Sequence, residues 1–112
     1  MRRFLLYILL LTVLTSCCTE FVIDEKWLED NYSKTEAMVT MRDGVKLYTS
    51  VYQPVDSDDR PVLLVRTPYS CAPYGDGWKG DLTEYMTEFL RNKYILVFQD
   101  VRGRYMSEGE YE

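Results

Sequence analysis

Two short loops hold the residues whose types and spacing could do chemistry. The first, "RTPYSCAPYGDG", follows an apolar run and sets Tyr69 directly behind Pro68. A phenol held there can donate a hydrogen bond to a developing oxyanion. Such a donor contributes ~3 to 4 kcal/mol, because it meets charge that exists only in the transition state. The plainer reading is a packing tyrosine, one of ten in the chain. The second loop, "QDVRGRYMSEG", offers Asp100, Arg102, Arg104 and Ser107, with Gly103 and Gly109 for tight turns. Ser107 is a poor nucleophile candidate: it lacks a G-x-S-x-G elbow, and the chain has no histidine to act as its base. The second loop therefore reads as a brace whose charges pair with neighbouring loops.

Composition narrows the classes. The 112 residues make one domain at most, 46% hydrophobic and 28% charged, as in an ordinary globular protein. Eighteen acidic against thirteen basic residues give a net charge of -5 with no basic patch, which argues against nucleic acid as a partner. Three cysteines without histidine form no ligand cluster, so neither a metal nor any other cofactor is expected.

The N-terminus reads as an address. Arg2 and Arg3 precede Phe4 to Leu14, an apolar run that suits a signal-peptide core and is too short for a membrane span. Leu14-Thr15-Ser16-Cys17 then has the form of a bacterial lipobox, with Cys17 as the thiol that takes the lipid. The expected division is a lipoprotein-type signal peptide over 1–16, a tether with about one helical turn over 17–35, and a folded body over 36–112. The mature chain would be exported and held at a bacterial membrane, periplasmic or at the cell surface, by acyl chains worth ~0.8 kcal/mol per buried CH₂. Sequence leaves open whether Cys18 and Cys71 pair or stay free.

The body must position the two loops. Ala37 to Met41 and Val45 to Tyr52 flank Asp43-Gly44 and predict a β-hairpin. Val62 to Val65 and Tyr94 to Phe98 are apolar without alternation, as in parallel strands covered on both faces. Between them, Leu82, Tyr85, Met86, Phe89 and Leu90 recur at helical spacing behind a capping-box pattern of Asp81 and Glu84. The class is α/β: a hairpin, then a β-α-β unit with a right-handed crossover. Both chemical loops leave carboxyl ends of parallel strands and so share the rim where such sheets gather function.

The series "MRDGVKLYTSVYQP", "PVLLVRTPYSCAPYG" and "YILVFQDVRGRYMSEGEY" resembles the start of the X-Pro dipeptidyl-peptidase-like hydrolases, the group that includes cocaine esterase, α-amino-acid ester hydrolases and glutaryl-acylase-type proteins. The resemblance runs from about Val39 to the last residue. It implies an α/β-hydrolase fold interrupted before its nucleophile elbow, a serine hydrolase activity on small ester, amide or peptide substrates, and an oxyanion-hole role for the Tyr69 hydroxyl. It also implies that the serine, acid and histidine lie elsewhere, so that this chain alone is inactive, and that the Val62 to Val65 strand is a bare edge. Amino-ester hydrolases of the group often place a carboxylate two residues past the tyrosine, where this chain has Cys71. Two other readings compete with the head of a lipid-anchored hydrolase. One is a small, non-catalytic surface lipoprotein that binds a partner; the other is a piece complemented by a separately encoded C-terminal half.

Overall fold

The computed structural model describes residues 21–56 and 59–112, so the signal-peptide reading and both Cys17 and Cys18 lie outside the described residues. In chain order the elements are α1 (Glu25–Asn31), β1 (Tyr32–Thr40), β2 (Lys46–Pro54), β3 (Val62–Thr67), α2 (Asp81–Glu84), α3 (Thr87–Arg91) and β4 (Ile95–Asp100). They build one mixed sheet of order β1-β2-β4-β3, in which only β3 and β4 run parallel. No helix among the described residues is long and apolar enough to cross a membrane.

The hairpin forms where Asp43-Gly44 predicts it. Gly44 takes a φ of 87°, in the left-handed region that glycine enters without a steric penalty, and Met41 N–H bonds Val45 C=O at 2.8 Å to close the turn. Its first strand starts earlier than the expected Ala37, at Tyr32. The stretch read as tether therefore carries structure: Asp24 caps α1 by accepting from Trp27 N–H at 2.8 Å, and Leu28 and Tyr32 enter the core. Tyr32 also donates to the Tyr94 carbonyl at 2.8 Å, tying β1's start to the residue before β4.

One face of the sheet holds the core. Tyr48 and Tyr52 of β2, Leu96 and Phe98 of β4, and the half-buried Leu63 and Val65 of β3 pack beneath Cys71, Leu82 and Leu90. The same period of two sends Val62 and Leu64 to the opposite face, where they are 59% and 54% exposed. The expectation that this strand is covered on both faces therefore fails for these residues. β4, flanked by β2 and β3, has two hydrogen-bonded neighbours, whereas β3 has one among the described residues.

The single helix expected over residues 81–90 is two short ones. Helical backbone already begins at Gly80, which offers no side-chain cap, and Asp81 pairs with Lys79 at 3.3 Å. The capping box is therefore not made. The chain leaves helical geometry at Tyr85 and Met86, so Leu82 and Leu90 are seated separately in the core. Tyr85, expected on the inward stripe, faces solvent.

Candidate active-site rim

β3 and β4 end level with each other, Thr67 opposite Asp100, and Val101 N–H extends the ladder to Thr67 C=O at 3.1 Å. The loops that leave these ends are thus side by side. Tyr69 is the second residue beyond β3, its own N–H tied to Thr67 Oγ1 at 3.0 Å and the residue 82% exposed. Arg104 crosses from the other loop to donate from Nε to the Pro68 carbonyl at 3.2 Å, while its guanidinium lies over the rings of Tyr105 and Tyr111. The backbone on both sides of the Pro68-Tyr69 bond is therefore anchored, and the phenol is left to face outward.

Asp100 joins the two loops. The residue is fully buried, and its carboxylate accepts from Cys71 N–H and Tyr74 O–H at 2.8 Å each and from Met106 N–H at 3.3 Å. Its backbone carbonyl accepts from Ser107 Oγ at 2.6 Å, and that hydroxyl accepts in turn from Tyr48 N–H at 2.8 Å. Ser107 is thus a strut between β2 and β4 whose hydroxyl already donates and accepts. Arg102 pairs with Asp43 of the hairpin turn at 2.8 Å, which also fits the brace expected of this loop.

Cys71 does not face the rim. Its thiol is fully buried, pushed up to about 12 first by burial and then by the neighbouring Asp100 carboxylate. It is a free cysteine and a poor nucleophile, because the thiolate is the reactive form. Position 71 presents a thiol to the core, in one cluster with Leu82 and Leu90.

The far end of the Tyr69 loop is clamped by β1, which the sequence did not suggest. Lys34 Nζ, on a side chain only 6% exposed, donates to the carbonyls of Pro73, Gly75 and Gly77 at 2.8, 2.6 and 2.8 Å. Two residues on, and so on the same face, Glu36 accepts from the Gly75 N–H and from Tyr48 O–H at 2.6 Å. These bonds, the Tyr48 phenol first, hold the Glu36 carboxyl below its usual range. The signal was the alternation of Lys34 and Glu36, invisible without the partner loop.

The arrangement supplies a hydrogen-bond donor at the end of a parallel strand and rigid support for it. Among the described residues no group of His, Cys, Asp or Glu could hold a metal ion.

Likenesses to known proteins bear on this geometry. The chain is 42% identical over 85 residues to a cocaine esterase from Rhodococcus sp. (strain MB1 Bresler), covering 75% of this chain and 14% of that one. Its fold matches an α-amino acid ester hydrolase structure with a TM-score of 0.65 at 36% identity, over 84% of this chain and 16% of the other. It also matches an aminopeptidase from a marine sediment archaeon, Thaumarchaeota archaeon, with a TM-score of 0.64 at 32% identity, over 85% and 16%. The chain thus spans about a seventh of the length of these relatives, in the N-terminal part of an α/β-hydrolase fold. The model of the X-Pro dipeptidyl-peptidase (S15) family matches residues 43–112, which include the hairpin turn, both rim loops and Tyr69, and the chain belongs to that family.

Proposed function

We propose that this chain is the N-terminal part of a serine hydrolase that transfers acyl or peptidyl groups from small ester or amide substrates to water, with Tyr69 as a side-chain donor to the oxyanion. The observation that carries the reading is the placing of Tyr69: an exposed phenol on anchored backbone, two residues past the end of a parallel strand. A hydroxyl aimed at the oxyanion strengthens its bond as negative charge develops on the carbonyl oxygen, and so lowers the barrier more than it aids substrate binding. The nucleophilic serine and the histidine that takes its proton come from polypeptide outside these 112 residues, which contain no histidine. That polypeptide either continues this reading frame or forms a separate half.

The test has two stages. The DNA downstream of the Glu112 codon is read first. An open frame encoding a strand, a G-x-S-x-G elbow and a later histidine supports the reading, and none in any frame leaves only the complementation form. In the assembled hydrolase, Tyr69→Phe then lowers kcat on a p-nitrophenyl ester about 10²- to 10³-fold with little change in KM. An unchanged kcat removes Tyr69 from the mechanism.

We also propose that the protein is exported and held at a membrane surface by lipid on Cys17. This rests on the charged, apolar and lipobox segments of residues 1–17. Metabolic labelling with a radioactive fatty acid checks it: the label enters the wild-type chain and is lost in Cys17→Ser.

A further inference from the structure

The turn that follows Tyr69 is held against its own backbone preference. Ser70 has a φ of 90°, in the left-handed region that favours glycine and penalises a residue with a Cβ. A chain of hydrogen bonds closes over it. Ala72 N–H donates to Ser70 Oγ at 3.1 Å, Ser70 Oγ meets Tyr74 Oη at 3.0 Å, and Tyr74 Oη donates to Asp100 Oδ2 at 2.8 Å. Because the Tyr74 proton is committed to the carboxylate, the Ser70 hydroxyl is the donor in the middle link. The other carboxylate oxygen takes Cys71 N–H, the amide immediately after Ser70. The relay thus leads from the strained residue to Asp100 by two routes, one through backbone and one through hydroxyls.

We propose that Asp100 is a positioning residue for Tyr69: through Cys71 N–H and the Tyr74-Ser70 hydroxyl pair it holds Ser70 in the left-handed conformation, so that the chain turns away directly behind Tyr69 and the phenol stays pointed out of the rim. A carboxylate suits the task because both oxygens only accept, and the three groups that bond them, Cys71 N–H, Tyr74 O–H and Met106 N–H, all donate. An amide would set its own N–H₂ against one of those donors. The same carboxylate takes the Met106 amide of the second loop, so the two rim loops are fixed to one point of β4. The catalytic meaning rests on the proposed role of Tyr69, but the positioning itself does not.

The test is a double-mutant cycle read by native-state amide exchange on the full 112-residue chain. The reporter is the Tyr69 amide, whose acceptor is Thr67 Oγ1 and not either mutated side chain. Asp100→Asn speeds its exchange at least tenfold while amides of the β1–β2 ladder keep their rates. In a Ser70→Gly background, where the backbone adopts the turn without strain, the same substitution changes the Tyr69 rate less than threefold. Equal effects in both backgrounds overturn the proposal, as does a uniform rise across the whole sheet, which would make Asp100 a general stabiliser. Should Asp100→Asn fail to fold, Tyr74→Phe severs the hydroxyl route alone. It is expected to speed Tyr69 exchange several-fold in the Ser70 chain and not in Ser70→Gly, and no change in either overturns the proposal. Because exchange is measured without substrate, failure here leaves the hydrolase reading intact, and an inactive role for Tyr69 leaves this result intact.

Discussion

β3 and β4 are neighbours with nearly the same apolar sequence character, "VLLV" against "ILVF", yet their side chains meet different surroundings. β4 lies between two strands, with Leu96 and Phe98 inside the core and Gln99 and Asp100 buried at its end. β3 has one partner among the described residues and turns Val62, Leu64 and Arg66 to solvent. An apolar run therefore reports a strand's preference for cover, and position in the sheet decides how much cover it receives. An exposed apolar edge of this kind is a surface on which further strands add, whether from the same protein or by misassociation.

The largest expected effect measures that contrast directly. Phe98→Ala removes a ring packed edge-on against Tyr52 at 5.7 Å between centroids and costs about 3–5 kcal/mol in urea denaturation. Leu64→Ala on the adjacent strand stays within about 0.5 kcal/mol. A comparable loss at both sites would mean that the open face of β3 is covered in solution. Leu64→Lys sharpens the point, since it is expected to reduce self-association in sedimentation velocity without lowering the unfolding midpoint.

The same contrast between covered and open positions separates two lysines. Lys34 is enclosed by three carbonyls and lies over the Tyr52 ring, whereas Lys26 pairs with Asp30 on the exposed face of α1. Lys34→Met strands three acceptors that had a charged donor, for a cost of about 2–3 kcal/mol and faster proteolysis within residues 73–77. Lys26→Met costs at most about 0.5 kcal/mol. If Lys34→Met is equally mild, the β1 clamp does not hold the Tyr69 loop.

What sequence could reveal follows the range of the interactions. The hairpin depends on Asp43-Gly44 and a few neighbours, and the parallel pair on two apolar runs joined by a crossover, so both were legible. The capping box at Asp81 was not realised because Lys79 engages that side chain and the backbone turns helical at Gly80. The α1 start was within reach, since Asp24 three residues before Trp27 is an N-cap signal. Lys34 and Glu36 were hidden because their partners lie about forty residues away on a loop with no pattern of its own. At the rim, Tyr69 was placed from its strand and its family likeness. Asp100 was read only as a candidate for ion pairs, although its contacts are with N–H and O–H donors of both loops.

Buried and exposed groups act on opposite limbs of the pH dependence, and the smallest effect is on the acid limb. Cys71, Tyr32 and Tyr52 have pKa values raised to about 12, chiefly by burial, from ordinary values of 9 and 10. A raised value leaves its stabilisation whole below the unfolded pKa and loses it as pH climbs toward the folded one, so the core weakens from about pH 9 upward. Glu36 is lowered, by the Tyr48 phenol first and then Gly75 N–H. Its contribution is present above the ordinary value of 4.5 and disappears as pH falls through the folded value. Because Glu36 lies at the edge of the clamp, the acid limb is expected to be shallow and local: exchange at Gly75 accelerates below pH 4.5 before the unfolding midpoint moves. Glu36→Gln removes that acid step while leaving the alkaline limb in place. Gly75 exchange that accelerates below pH 4.5 as steeply in Glu36→Gln as in the wild-type chain would assign acid sensitivity to other carboxylates and end the distinction between clamp and core.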